Sequence, residues 1–169
     1  SMSYYLSRTI NAAFDEVVPR VIAALKEEGF GILTDIDVQA TLKTKLGADM
    51  PSYRILGACN PSFAHQALQL EDKLGVLLPC NVIVRNAGDG QTEVAAIDPV
   101  TSMDRTGNPK LAAVADEVRA RLLRAGEHAG PDAGLPAITG DLFHRYAENR
   151  PPRKPQDQRL HPTPWHRYP

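Results

Sequence analysis

"CNVIVRNAGDGQTEVAAI", Cys80 to Ile97, decides the fold. Two runs of strand-forming residues, CNVIV and TEVAAI, flank Asn86 to Gln91, and Gly88-Asp89-Gly90 supplies the positive backbone angles of a tight reversal. The pair reads as an antiparallel hairpin. The glycine cluster is a turn and not a phosphate loop, because a phosphate cradle requires a strand-to-helix switch and here a second strand follows.

Working toward the amino terminus, "SYRILGAC" after Pro51 suits a strand. Asn60-Pro61 is a helix start, since asparagine accepts from first-turn amides and proline fits the first helical position. Phe63, Ala64, Ala67 and Leu68 are its expected buried stripe. "GFGILTDIDV" reads as an earlier strand, with Phe30, Ile32, Thr34 and Ile36 on one face and Leu33, Asp35 and Asp37 on the other. "VQATLKTKLG" fits a short helix ending at Gly47. Tyr4, Leu6 and Arg8 alternate with Tyr5, Ser7 and Thr9 in a short first strand. Phe14, Val17, Val18, Val21, Ile22 and Leu25 recur at helical spacing, with Asn11 or Asp15 as the expected cap and Gly29 as a left-handed stop. Pro19 costs little if that helix starts near Asp15 and kinks it if it starts at Asn11. Beyond the hairpin, Asn108-Pro109 opens a helix with Leu111, Val114, Val118 and Leu122 on one face, running out near His128 to Gly130. Strands and helices interspersed around an antiparallel hairpin predict an α+β fold, an antiparallel sheet with helices packed on one face.

The chain has 169 residues, 43% of them hydrophobic and 23% charged, enough for one core. Nineteen basic against 20 acidic side chains give a net charge of −1, so no global field steers the body to nucleic acid or an anionic membrane. No apolar run approaches the roughly 20 residues that span a bilayer. The expectation is a cytoplasmic protein with neither nucleic acid nor membrane as partner, and with its two cysteines as free thiols.

Two segments follow from composition: a domain over residues 3–129 and a proline-rich extension over 130–169. In the extension Pro131, Pro136, Pro151, Pro152, Pro155, Pro162, Pro164 and Pro169 block helices and ladders. Its arginines and Lys154 outnumber its acids. Ordering such an arm costs roughly 1 kcal/mol or more per residue, so an ordered arm must dock on its own body or on a second subunit, with Trp165 and Tyr168 as anchors. The expectation is an arm exchanged across a homodimer.

Each cysteine is followed by asparagine, Cys59-Asn60 and Cys80-Asn81. Cys59 ends a strand just before a helix start, where first-turn amides favour a thiolate; the plain alternative is a small buried side chain. Cys80 begins an apolar strand and is expected to be buried. The two sulfurs share an end of the sheet only if residues 71–79 carry the chain back, and no disulfide is expected. Cys59, His65 and Cys80 form one candidate set for a soft transition metal, and His144, His161 and His166 another. Asp35 and Asp37 are candidates for acid and base work, against a plainer reading in which one caps the helix at Val38 and the other pairs with Lys43 or Lys45. No Walker, dinucleotide or nucleophile-elbow pattern occurs.

"EEGFGILTDIDVQATLKTKLG", "YRILGACNPSFAHQAL", "GVLLPCNVIV" and "AIDP" resemble, in order and spacing, the domain-of-unknown-function 302 family from about Tyr4 to Glu127. The resemblance implies an α+β fold like that of the TATA-binding protein, usually as a homodimer, and brings no established reaction, cofactor or substrate. The family's motif falls on Asp37, Cys59, Asn60, Pro61, Ala64, Leu78, Pro79, Cys80 and Asn81, with Asp35 where glutamate is usual.

Three functions are compatible with these residues. The first is a homodimeric small-ligand-binding domain whose site is lined by Cys59, Asn60, Cys80 and Asn81 with Asp35, Asp37 and His65 nearby, asparagine suiting a small polar ligand. The second is a thiol-dependent redox or sulfur-transfer protein in which Cys59 attacks and Cys80 resolves. The third is a Cys/His metal-binding protein.

Overall fold

The computed structural model describes residues 3–133. The extension's histidine set and its anchors Trp165 and Tyr168 lie outside the described residues. Five strands form one antiparallel sheet in the order β1-β5-β4-β3-β2, where β1 is Tyr5–Ile10, β2 Gly31–Asp37, β3 Tyr53–Cys59, β4 Cys80–Gly88 and β5 Gln91–Ile97. The helices are α1 Phe14–Glu27, α2 Val38–Leu46, α3 Pro61–Leu70, α4 Pro99–Asp104 and α5 Ala112–Ala129. The α+β expectation holds.

The hairpin forms where its glycines place it, with Gly88, Asp89 and Gly90 all at positive φ. Val82, Val84 and Val94 alternate toward α1 and α5 and are buried with Leu56, Val17, Val21, Val118 and Leu122 in one core. Removing this apolar surface from water is the main favourable contribution to folding.

Several local expectations are corrected. Ala13 occupies the N-cap position of α1 without a side-chain cap, while the Asn11 side chain accepts from Gln91 Nε2 at 2.8 Å. Pro19 lies inside α1, removing one ladder bond without ending the helix. In β2 the register shifts between Ile32 and Thr34, so Leu33 is a bulge. Ile32 then pairs with Ala58 and packs on the core, whereas Thr34 pairs with Gly57 on the opposite face. Asn108-Pro109 opens a 3-10 turn, Pro109–Leu111, ahead of α5. On α3 only Ala67 is buried, and Leu68 is exposed. The chain after α5 returns to the sheet edge, where Asp132 bridges Ile10 and the Ala133 amide donates to the Thr9 carbonyl at 2.6 Å.

Candidate functional site

The pairing of Ala58 with Cys80 places the end of β3 and the start of β4 side by side, so both cysteines lie at one end of the sheet. Residues 71–79 carry the chain back, and the Leu78-Pro79 peptide is cis. Both thiols are free, Cys59 half-buried and Cys80 buried. Together with Asn60, Phe63, Leu78 and Met103 they line a cavity of about 20 Å³. That volume holds roughly one water.

Asn60 precedes α3 as expected, yet its side chain makes no cap; Nδ2 instead donates to the Glu28 carbonyl at 3.4 Å. The same carbonyl accepts from Arg121 Nη1 at 3.3 Å, and the Glu28 carboxylate receives two bonds from Arg124, both at 2.9 Å. Arg121 also lies over the Phe63 ring, 4.9 Å from its centroid. Charges held in bidentate pairs satisfy the demands of burial, and Asn60 belongs to this structural knot. Asn81 does not join it. That residue pairs with Gly57 in the register and lines the sheet face turned away from α1 and α5.

The carboxylates stand elsewhere. Gly31 pairs with Cys59, whereas Asp35 pairs with Leu56 and Asp37 with Arg54, toward the other end of β3. Asp37 caps α2 by accepting from the Ala40 amide at 2.9 Å. Asp35 receives a fork from Arg54, with Nε at 2.6 Å, and not from Lys43, which pairs with Asp49 at 2.8 Å. The Arg54 hydrogen bonds hold the Asp35 carboxyl below its ordinary range, which suits a permanently charged ion-pair partner more than a proton shuttle. His65 is exposed on α3. Among the described residues no three His, Cys, Asp or Glu side chains gather as a metal site, so the set Cys59, His65, Cys80 is not assembled.

The thiol expectation is reversed in direction. Burial pushes Cys59 up from its ordinary value, and burial followed by the proximity of Cys59 pushes Cys80 up to about 12. Desolvation outweighs the favourable position of Cys59 before a helix, and thiols so placed are poor nucleophiles at neutral pH.

A larger space lies away from both cysteines. Between α1, α5 and the sheet is a cavity of about 150 Å³, walled by Val21, Leu25, Leu122, Ala125, Val82 and Val94. Ser7, Arg8 and Asp132 contribute its polar lining, and Arg8 Nη1 donates to the Gly130 carbonyl at 3.1 Å. The one available signal is the run of small residues Ala125, Gly126 and Ala129 on α5, which withhold the side-chain volume that would fill it.

A five-stranded antiparallel sheet with helices on one face defines the class: an α+β domain. The chain belongs to the family described as "Domain of unknown function DUF302", whose model matches residues 6–129. It is similar to a solved structure titled "Crystal structure of uncharacterized conserved protein DUF302 from Bacillus stearothermophilus", with 26% identity and a TM-score of 0.71, covering 76% of this chain and 99% of that one. No curated protein matches the sequence. No helix among the described residues is long and apolar enough to cross a membrane.

Proposed function

We propose that the domain binds a small, largely aliphatic molecule in the space between α1, α5 and the sheet. The carrying observation is the cavity of about 150 Å³ with its aliphatic walls. Native cores contain few voids larger than a water. An occupant there would take aliphatic wall out of contact with water, which is favourable in proportion to the apolar area covered. The Arg8 guanidinium, which donates to the Gly130 carbonyl, adds a cationic group to the lining for a polar end of the ligand. The helix-sheet interior offers more room than the Cys-Asn segments, where the space is about 20 Å³. Thiol chemistry loses support for a separate reason: both sulfurs are held in the protonated form by burial.

The test is thermal unfolding in the presence of benzene, xenon and short-chain aliphatic alcohols and acids. A ligand that binds only the folded state raises Tm with concentration. Ala125→Leu and Ala96→Val, each adding volume to the cavity wall, should abolish the rise while leaving the far-UV dichroism intact. If none of the probes shifts the wild-type Tm, the cavity is not a binding site.

A further inference from the structure

The sheet face turned away from α1 and α5 carries a second, shallower concavity, of about 510 Å³. Tyr4, Tyr5 and Tyr53 stand around it, and Ile83 and Ala95, paired directly across β4 and β5, lie along it. Tyr4 is 72% exposed and Tyr5 44%, with their rings edge to face at 5.0 Å. Aromatic side chains cost little conformational entropy on binding, so such an array is suited to an apolar, preorganised partner.

The chain itself supplies one. Residues beyond Ala133 include Pro151-Pro152-Arg153-Lys154-Pro155 and Pro162-Thr163-Pro164, followed by Trp165, the sole tryptophan. Proline at this spacing favours the polyproline II helix, and grooves lined by aromatic rings are what such helices dock against. At about 3.1 Å per residue, five residues span roughly 12–16 Å. The three strand spacings from β1, which holds Tyr5, to β3, which holds Tyr53, cover about 14 Å.

Position favours the chain's own segment over a second copy's, and charge favours a basic segment over an acidic one. The described residues end beside Thr9 of β1, the strand that holds Tyr5. Pro151 follows roughly 18 residues later, a flexible reach of about 23 Å, comparable with the width of the sheet. Tethering at that length gives an effective concentration in the millimolar range. Residues beyond Ala133 hold six of the 19 basic and three of the 20 acidic side chains, leaving the body with 13 against 17. A basic tail is thus drawn to an acidic body.

We propose that the tyrosine-rimmed groove on the sheet holds the chain's own proline-rich terminus, residues 151–169, with prolines stacked on tyrosine rings and Trp165 as the anchor. The occupant comes from the same chain and not from a second copy. This proposal is independent of the ligand cavity on the sheet's other face.

Trp165 makes the test direct in the full chain, by acrylamide quenching of its fluorescence. Quenching should be weaker in the native protein than in urea and unchanged across a wide dilution series. It should rise to the unfolded value in Tyr5→Ala and Tyr53→Ala. Because those changes lie in the folded body, the tail variant Pro152→Ser/Pro155→Ser, which leaves the body's packing untouched, should raise it as well. Three results each overturn the proposal. One is quenching in the native protein equal to that in urea. Another is protection that survives both the tyrosine and the proline variants. The third is protection that vanishes on dilution, which would place the tail on a second copy.

Discussion

The Asn60 side chain reaches back to the end of α1, not into the helix that it precedes, and lies against Gly29. Asn60 Nδ2 donates to the Glu28 carbonyl at 3.4 Å, and a Cβ added at Gly29 would sit 2.9 Å from that same nitrogen. Gly29 also has φ +86°, which L side chains rarely adopt. Gly29→Ala therefore meets two penalties, backbone strain and displacement of Asn60, and should lower stability by about 1–3 kcal/mol. Urea unfolding measures it. The double variant Gly29→Ala/Asn60→Ala should recover part of the loss, since only the steric component is relieved.

Glu28 is buried with its carboxylate gripped by Arg124, and truncating the arginine strands a charge in the interior. Arg124→Ala should cost on the order of 3 kcal/mol. Arg124→Met together with Glu28→Met should cost markedly less than Arg124→Ala alone, because no unpaired carboxylate remains. A double variant as unstable as the single would mean that packing of the arginine stem, and not charge compensation, supplies the stabilisation.

Gly57 faces Thr34 across the β2 bulge, and an added Cβ would collide with Thr34 Oγ1 and lie 2.9 Å from the Pro79 ring. Gly57→Ala should lower Tm by several degrees, equivalent to about 1–3 kcal/mol. Gly75, where an added Cβ meets nothing within 4 Å, serves as the control, and Gly75→Ala should leave Tm nearly unchanged.

What the sequence made legible is what neighbouring residues decide. Gly88-Asp89-Gly90 placed the hairpin, Asn60-Pro61 placed the start of α3, and Gly29 marked the end of α1. Asp98-Pro99 carries the same start signal as Asn60-Pro61, but α4 has six residues, too few for a helical period to show. The bulge at Leu33 breaks a clean alternation for a reason supplied by β3, the meeting of Thr34 with Gly57. Distance in sequence hides the rest. Asp35 finds Arg54 19 positions away, Glu28 finds Arg124 96 positions away, and the wall of the cavity between α1, α5 and the sheet runs from Leu6 to Asp132. The Cys-Asn motif drew a single site because its residues repeat in sequence. The sheet's alternation instead sends Asn81 to one face while Asn60 turns to the end of α1.

The buried thiols make stability depend on pH in the alkaline range. Burial penalises the thiolate, so the unfolded chain releases these protons at lower pH than the folded one. Their contribution is complete below the ordinary thiol value of about 8.5 and is lost progressively as pH rises from there toward the value of about 12 for Cys80. Urea midpoints measured at rising pH above about 8 should therefore fall, and the slope should flatten in Cys80→Ala even though that variant starts from lower stability. Alkylation gives the matching kinetic result: in the native protein half-buried Cys59 should label slowly and Cys80 only through unfolding, while in urea both label alike. Native labelling of Cys59 that is already rapid near neutral pH would contradict the raised thiol and restore the nucleophile that burial removes.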